Sequence, residues 1–512
     1  MAIKTFAAID VGSFEMAMKI YELSEKYGFK EIDHIRHRLS LGTDSYNTGK
    51  ISFSKIEELC EVLLEFKEIM KSYKVNDYKA YGTSAFRETA NAMILVDQIK
   101  NRTGIKVDVL SNSEQRFLDY KSVASKGAEF NTILEKGTAI VDISGGNIQI
   151  SLFDNDTLAV TQNLKLGVMR LDSILKRMRV NHKTYENILD DMIVSQLSVF
   201  KKLYMKDKDI TSLIVVDDYI SPILKRGVAG VSEGGYASSE DFIVFADSLF
   251  KKSADEIEAD LEVSDESLDL MIISANIVKH IIRMCNAEKI WTPGVTICDG
   301  IAYEYAEKKG IKITDHDFEK DILAAAVNIS KRYMGSKKRS ETLEEISLEI
   351  FDAMKKVHGM GKRERFLLQL SAILHDCGKF INMTNVGECS YSIIMNTEII
   401  GLSHQERQLL AYVVRFNHDV FQSFDELASV SDIEKEAYLT MARLTAILRI
   451  AGGLDKSHKQ KMRKLKAVLK DDKLLITVNG EQDIHYERES FSRKVAFFGE
   501  IYSIEPVIEQ KR

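Results

Sequence analysis

The chain has 512 residues, 45% of them hydrophobic and 29% charged, and a net charge of -7. That length exceeds a single hydrophobic core and predicts several domains. The apolar fraction excludes long disorder, and the acidic balance excludes a global pull toward nucleic acid or an anionic membrane surface. Cys60, Cys285, Cys298, Cys377 and Cys389 are scattered without a C-x-x-C pair, which argues against a disulfide framework and fits a reducing compartment. With no signal-peptide core and no apolar run of transmembrane length, a soluble cytoplasmic protein is expected.

TFAAID, from Thr5, predicts a buried strand, followed by the turn Val11-Gly12-Ser13 and a second strand in FEMAMKIYEL. ISFSKIEELCEVLLEFKEIMKSY has apolar residues at helical spacing. YKAYGTSAFRET and KVDVLSNSEQRFLDYKSVAS each read as strand, turn and helix, an alternation of the α/β type. Near residue 138 the pattern restarts: TAIVDI, SGGN and IQISLFD mirror FAAID, VGS and EMAMKIYEL. This weak internal duplication predicts two α/β lobes with a cleft between them. From about residue 318 the chain reads as helices, through DFEKDILAAAVNISKRYM, FLLQLSAILHDCGKF and YLTMARLTAILRIAGGLDKS. The tail has a strand-like LLITV followed by an Asn479-Gly480 turn. Only three prolines interrupt the whole chain, which favours helix and provides no proline-rich linker.

The two glycine turns carry the first chemical signal. In Asp10-Val11-Gly12-Ser13 and Asp142-Ile143-Ser144-Gly145-Gly146, glycine lets backbone N–H groups approach a phosphate. An Asp at the strand end can hold Mg²⁺ directly or through water. Either turn alone is an ordinary hairpin; two of them opening two similar lobes favour phosphate. In GTSAFRETAN, Thr83 and Ser84 lie near a helix start and Arg87 has the geometry to clamp a phosphate, though a cap and a solvated arginine explain the stretch equally well. In SNSEQRFLDY, Glu114 is in the first turn of a helix, either a capping carboxylate or a general base.

The order AAIDVGS, RLSLGTDSYNTGKIS, GTSAFRETAN, SNSEQRFLDY, VDISGGNIQIS and NLKLGVMRL resembles the exopolyphosphatase and guanosine pentaphosphate phosphohydrolase family over residues 5 to 305. The later stretches LSAILHDCGKFIN, VVRFNHD and LRIAGGLDKSH resemble the HD-type helical domain of its long members. The resemblance implies an α/β fold with two ribonuclease H-like lobes of the actin and sugar-kinase superfamily, at 1–125 and 126–310. An all-α HD-type domain with a small α+β tail would occupy 311–512. It further implies a homodimer that releases terminal phosphate from polyphosphate or guanosine pentaphosphate with Mg²⁺ or Mn²⁺, with no membrane or specific nucleic-acid partner. Carried over, Asp10 and Asp142 support the metal and the attacking water, while Gly12, Ser13, Thr83, Ser84, Arg87, Ser144, Gly145, Gly146 and Asn147 hold phosphate. Glu114 becomes the base if one residue is missing from the turn before it; an ungapped alignment puts Gln115 there instead.

The departures point to a weakened metal site. Ser144, Asn147 and Gln149 stand where the family carries Gly, Ser and Glu, so Gln149 is a neutral and weak metal supporter. Phe14-Glu15 replaces Asn-Ser, and Asp217-Asp218 replaces a glycine pair. The alternative function is therefore a protein that binds polyphosphate or a guanosine nucleotide without fast turnover. His375-Asp376 is a remnant of an HD metal site whose first His would fall near Thr342 and whose last Asp would fall near Gly452, three positions before Asp455. The basic run from 456 to 470 reads as a solvated helix face or as a track for a polyanion.

Overall fold

The computed structural model describes residues 4–25, 28–135, 137–154, 157–206, 208–311, 313–314, 316–462, 464–479 and 482–511. The chain divides into two compact units, Met1–Phe318 and Glu319–Arg512.

In the first unit the apolar runs become the middles of two sheets. β1 (Lys4–Val11), β2 (Glu15–Ser24), β3 (Gly28–Arg38), β4 (Asp77–Gly82) and β5 (Val107–Val109) form a sheet in the order β3-β2-β1-β4-β5. β6 (Thr138–Ile143), β7 (Ile148–Asp154), β8 (Thr157–Leu164), β9 (Ser212–Asp217), β10 (Tyr236–Ser238) and β11 (Lys289–Trp291) form a second, β10-β11-β9-β6-β7-β8. Without the edge strand β10, the two orders coincide. Each first strand pairs antiparallel with the second and parallel with the fourth. The restart near residue 138 is thus a repeat of topology. Phe6, Ala7, Ala8 and Ile9 are fully buried, and every residue of β6 is buried. A strand covered by helices on both faces needs this unbroken apolar run.

The pairing register places Asp10 opposite Ala17 and Asp142 opposite Gln149, each one residue before the end of its central strand. In sheets with parallel crossovers the crevice beyond the strand ends is where ligands bind. The last helix of the unit, Ile297–Lys308, returns to the first sheet, where Tyr305 stacks on Phe6 at 4.0 Å. The range expected for the second lobe, 126–310, therefore ends in a helix that packs on β1.

The second unit is helical, with Lys337–Ala353, Lys362–Leu374, His404–His418 and Lys435–Leu454 among its longer elements. β12 (Lys466–Lys470), β13 (Lys473–Asn479) and β14 (Glu505–Lys511) close it as a three-stranded sheet. LLITV lies in β13, while Gly480 of the expected turn is outside the described residues. The basic run is no helix face: residues 456–462 are turns and bends, and β12 follows. The reason is period. Leu465 and Ala467 are buried while Lys466 and Val468 are exposed, the alternation of a half-covered strand. Arg463 of that run is outside the described residues. Among the described residues no helix is long and apolar enough to cross a membrane.

Candidate active site

Beyond the ends of β1 and β6 lies a narrow cleft. Asp10, Gly12, Ser13, Thr83, Ser84, Asp142, Ser144 and Gly145 line it, joined by Phe14, Glu15, Gln115, Asp119, Asp218 and Tyr219. Its two glycine turns are pressed together. A Cβ on Gly145 would stand 2.8 Å from the Ser13 Cβ, and one on Gly146 would stand 2.5 Å from the Tyr46 hydroxyl. Only glycine fits at that approach. Ser13 Oγ lies 2.7 Å from both Ser84 Oγ and Tyr46 Oη, a hydroxyl cluster that ties the first loop to the helix start at Ser84.

Not every N–H in these turns faces the cleft. Gly12 N donates to Glu15 O and Ser144 N donates to Asn147 O, each closing its own turn. Ser144 Oγ also donates to Asn147 Oδ1 at 2.9 Å. The two substitutions in this loop therefore answer each other, and Asn147 holds the turn from behind the cleft wall. Gly146 likewise turns its carbonyl away, to Arg170 Nε at 2.8 Å, and Arg170 continues to Glu88.

Carboxylates dominate the electrostatics. Asp119 and Asp142 are 4% and 8% exposed, and Asp119 Oδ2, Asp142 Oδ2 and Asp10 Oδ1 have no hydrogen-bond partner among the described residues. Burial, reinforced by Asp218, Glu15 and Asp142, pushes the Asp10 carboxyl well above its usual range. Burial and then the Asp218 charge raise Asp142 to about 7, against the pull of Asp119 and Arg116. Burial, and then the Asp142, Asp10 and Asp218 charges, push the Asp119 carboxyl up as well. Asp217 lines the cleft as expected, but its oxygens are committed to the fold. Its Oδ1 accepts from Tyr219 N at 2.7 Å and from Ile220 N, and its Oδ2 accepts from Ser274 at 2.6 Å.

Three expected residues stand elsewhere. Glu114 is not aimed at the cleft: its Oε2 accepts from Ser111 N at 3.0 Å and Ser111 Oγ at 2.6 Å, completing a capping box. Glu114, expected as the base, caps its helix and does not line the cleft, and Gln115 occupies the cleft wall. Arg87 is turned to Gln115 Oε1, 2.8 Å, and the Leu110 carbonyl, 3.0 Å, and does not line the cleft. Gln149 is 1% exposed and accepts from Arg116 Nε at 2.6 Å. It lies opposite Asp142 on the neighbouring strand but behind the cleft wall. Sequence reasoning missed Asp119, whose signal was its position one helical turn after Gln115.

Among the described residues no group of three or more His, Cys, Asp and Glu side chains stands close enough to hold a metal ion by itself. Mg²⁺ ordinarily takes only one or two protein carboxylates and completes its shell with water and substrate phosphate. The partnerless buried oxygens of Asp10 and Asp142 fit that donor set.

In the second unit His375 and Asp376 also meet charge. His375 Nε2 accepts from Arg339 Nε at 2.9 Å, and His375 Nδ1 lies 2.9 Å from the Ala372 carbonyl. Arg339 Nη1 donates to the Asp455 carbonyl at 2.8 Å and stands 3.7 Å from its Oδ2, while Lys379 pairs with Asp376 at 3.1 Å. Thr342, where the remnant's first histidine was sought, is fully buried and donates to Lys338 O. One turn earlier, the Arg339 guanidinium lies against His375 and Asp455.

The Ppx/GppA phosphatase family model matches residues 20–309, and the model of Ppx/GppA phosphatase domain III matches residues 323–490. The chain belongs to the Ppx/GppA phosphatase family. It is thereby a member of a family of phosphohydrolases. It is 21% identical over 466 residues to the guanosine-5'-triphosphate,3'-diphosphate pyrophosphatase of Photobacterium profundum, covering 86% of each chain. It is 20% identical over 493 residues to the protein of that name from Vibrio cholerae, covering 93% of this chain and 92% of the relative. The solved exopolyphosphatase of Cytophaga hutchinsonii superposes with a TM-score of 0.53 at 17% identity, covering 61% of this chain and all (100%) of that one. The Aquifex aeolicus Ppx/GppA protein gives 0.51 at 18% identity, covering 62% and 100%. These likenesses show the fold, the actin-like arrangement of the Ppx/GppA proteins with mixed sheets.

Proposed function

We propose that this Ppx/GppA chain hydrolyses the terminal phosphoanhydride of inorganic polyphosphate or guanosine pentaphosphate. One observation carries the reading. Two carboxylates end the central strands of two topologically equivalent sheets, both face a glycine-walled cleft, and each keeps a buried oxygen without a partner among the described residues. Asp10 and Asp142 would hold Mg²⁺, which when bound neutralises charge on the reacting phosphate. Gly145 N–H makes no hydrogen bond among the described residues and lies at the cleft wall, so it is placed to donate to a phosphate oxygen. Ser13, Thr83 and Ser84 supply hydroxyls beside it. The names of the relatives, a guanosine pyrophosphatase on one side and an exopolyphosphatase on the other, support the two substrates. The second unit is taken as an HD-type scaffold without a metal of its own, because Arg339 fills the space among His375, Asp376 and Asp455.

A second reading, binding of the same anions without fast turnover, is favoured by Gln149, a neutral amide secured by Arg116. Phosphate release from each substrate with Mg²⁺ separates the two. Steady release from either substrate supports the hydrolase; no release with tight calorimetric binding supports the sensor.

A further inference from the structure

The helix Asn112–Ala124 enters the cleft, and its first turn brings no carboxylate there. Glu114 is committed to the Ser111 cap, and Gln115, 5% exposed, presents an amide held by Arg87. An amide accepts a hydrogen bond from water but cannot take its proton. One turn further on, Asp119 projects from the same face, since residues four apart on a helix are neighbours. Its side chain lines the cleft beside Asp10 and Asp142, and it is more than nine-tenths buried with Oδ2 unpartnered among the described residues. We propose that Asp119 is the catalytic base of this chain, one helical turn beyond the amide that Gln115 presents to the cleft.

The proposal rests on the hydrolase reading above. Water attacks the terminal phosphorus. Its oxygen forms the new P–O bond while the bridging P–O bond breaks, and that electron pair leaves on the shortened phosphate chain. The water's proton passes to Asp119 Oδ2. Asp119 is favoured over Glu15 because Glu15 is held in a two-pronged pair by Arg36 at 2.7 and 2.8 Å, and over Asp217 because both Asp217 oxygens already accept hydrogen bonds. It is favoured over Asp218 because Asp218 is exposed, where a proton acceptor has no advantage over bulk water.

The test uses the full chain with Mg²⁺ on both polyphosphate and guanosine pentaphosphate, comparing wild type with Asp119→Asn, Glu114→Ala and the double variant Asp119→Asn with Gln115→Glu. Asparagine has the size and shape of aspartate and removes a buried acid, so circular dichroism and Tm should stay close to wild type. We expect Asp119→Asn to lower kcat by roughly 100-fold or more, the usual size of a general-base contribution, at an unchanged Mg²⁺ half-saturation. Glu114→Ala should keep kcat. The double variant should recover at least part of the loss, with a carboxylate restored one turn back. Full kcat in Asp119→Asn overturns the assignment, as does a loss equally large in Glu114→Ala. A loss that appears only as a raised Mg²⁺ half-saturation also overturns it, by making Asp119 a metal ligand. A wild type that releases no phosphate removes the hydrolase reading itself and the base with it, an outcome distinct from the other three.

Discussion

Two buried acidic clusters in this chain solve the same electrostatic problem in opposite ways. In the second unit, His375, Asp376 and Asp455 surround a cation made by the chain itself, the Arg339 guanidinium, with Lys379 on Asp376. In the first, Asp10, Asp119 and Asp142 face one another with partnerless oxygens, and the nearby cations Arg87 and Arg116 are directed at two amides, Gln115 and Gln149. Buried charge is costly unless paired. A cluster that brings its own cation is finished when it folds. One that leaves its oxygens partnerless stays under strain until a ligand supplies the charge, and that strain is the mark of a site.

Removing a carboxylate from the first cluster and the cation from the second tests this contrast most directly. Asp142→Asn should abolish most phosphate release, roughly a thousandfold or about 4 kcal/mol of transition-state stabilisation. It should leave Tm equal or higher, because a repelled buried charge is gone. Saturating Mg²⁺ should raise the Tm of wild type and not that of the variant. A fall in Tm on Asp142→Asn would mean the first cluster is neutralised within the fold after all. For the second cluster, Arg339→Leu should lower stability by about 3 kcal/mol or more, the cost of leaving buried partners without their cation. Phosphate release measured well below the melting transition should not change. A loss under 1 kcal/mol in urea unfolding would show that Arg339 is not what holds His375 and Asp455.

How much of this was readable in the sequence follows from what each signal encodes. TAIVDI and TFAAID gave up the central strands because burial on both faces demands an unbroken apolar run. The aspartates at their ends followed from the glycine turns beside them. Side-chain direction was not so local. Adjacent helix residues differ by about 100° around the axis, so choosing between Glu114, Gln115 and Asp119 needed the Ser111 cap, which sets where the helix begins. The same one-turn ambiguity hid Arg339, because a metal-ligand pattern looks for histidine near Thr342 and has no rule for an arginine in the metal's place. The basic run failed differently: its charges masked the Leu465 and Ala467 alternation that makes it extended.

Acidity separates the clusters a third way. Burial holds the His375 imidazole far below its usual value, at about 3, assisted by Arg339 and His418 and opposed by Asp376. Its folded pKa lies below the unfolded one, so the unfolded chain binds the extra proton first. The stabilisation is complete above about pH 6.5 and is lost as pH falls toward 3. Between pH 7 and 5 this single group should cost about 2 kcal/mol of stability. His375→Asn should flatten the dependence by that amount in chemical denaturation. An unchanged slope would mean that burial does not keep the ring neutral.

The smallest effect is expected where the family pattern suggested the largest. The resemblance places a glutamate where Gln149 stands, and a carboxylate there would be expected to act as a metal ligand. The geometry argues otherwise. The side chain is 1% exposed, does not line the cleft, and accepts from Arg116 Nε at 2.6 Å. A glutamate there would meet that guanidinium first and form an ion pair, converting a corner of the first cluster to the self-neutralised style of the second. Gln149→Glu should therefore change kcat by less than about threefold, under 1 kcal/mol, with a modest rise in Tm. A tenfold gain in phosphate release would reverse the argument. It would show that Arg116 yields the carboxylate to the cleft, and that the natural amide keeps this chain nearer to a binding protein than to an enzyme.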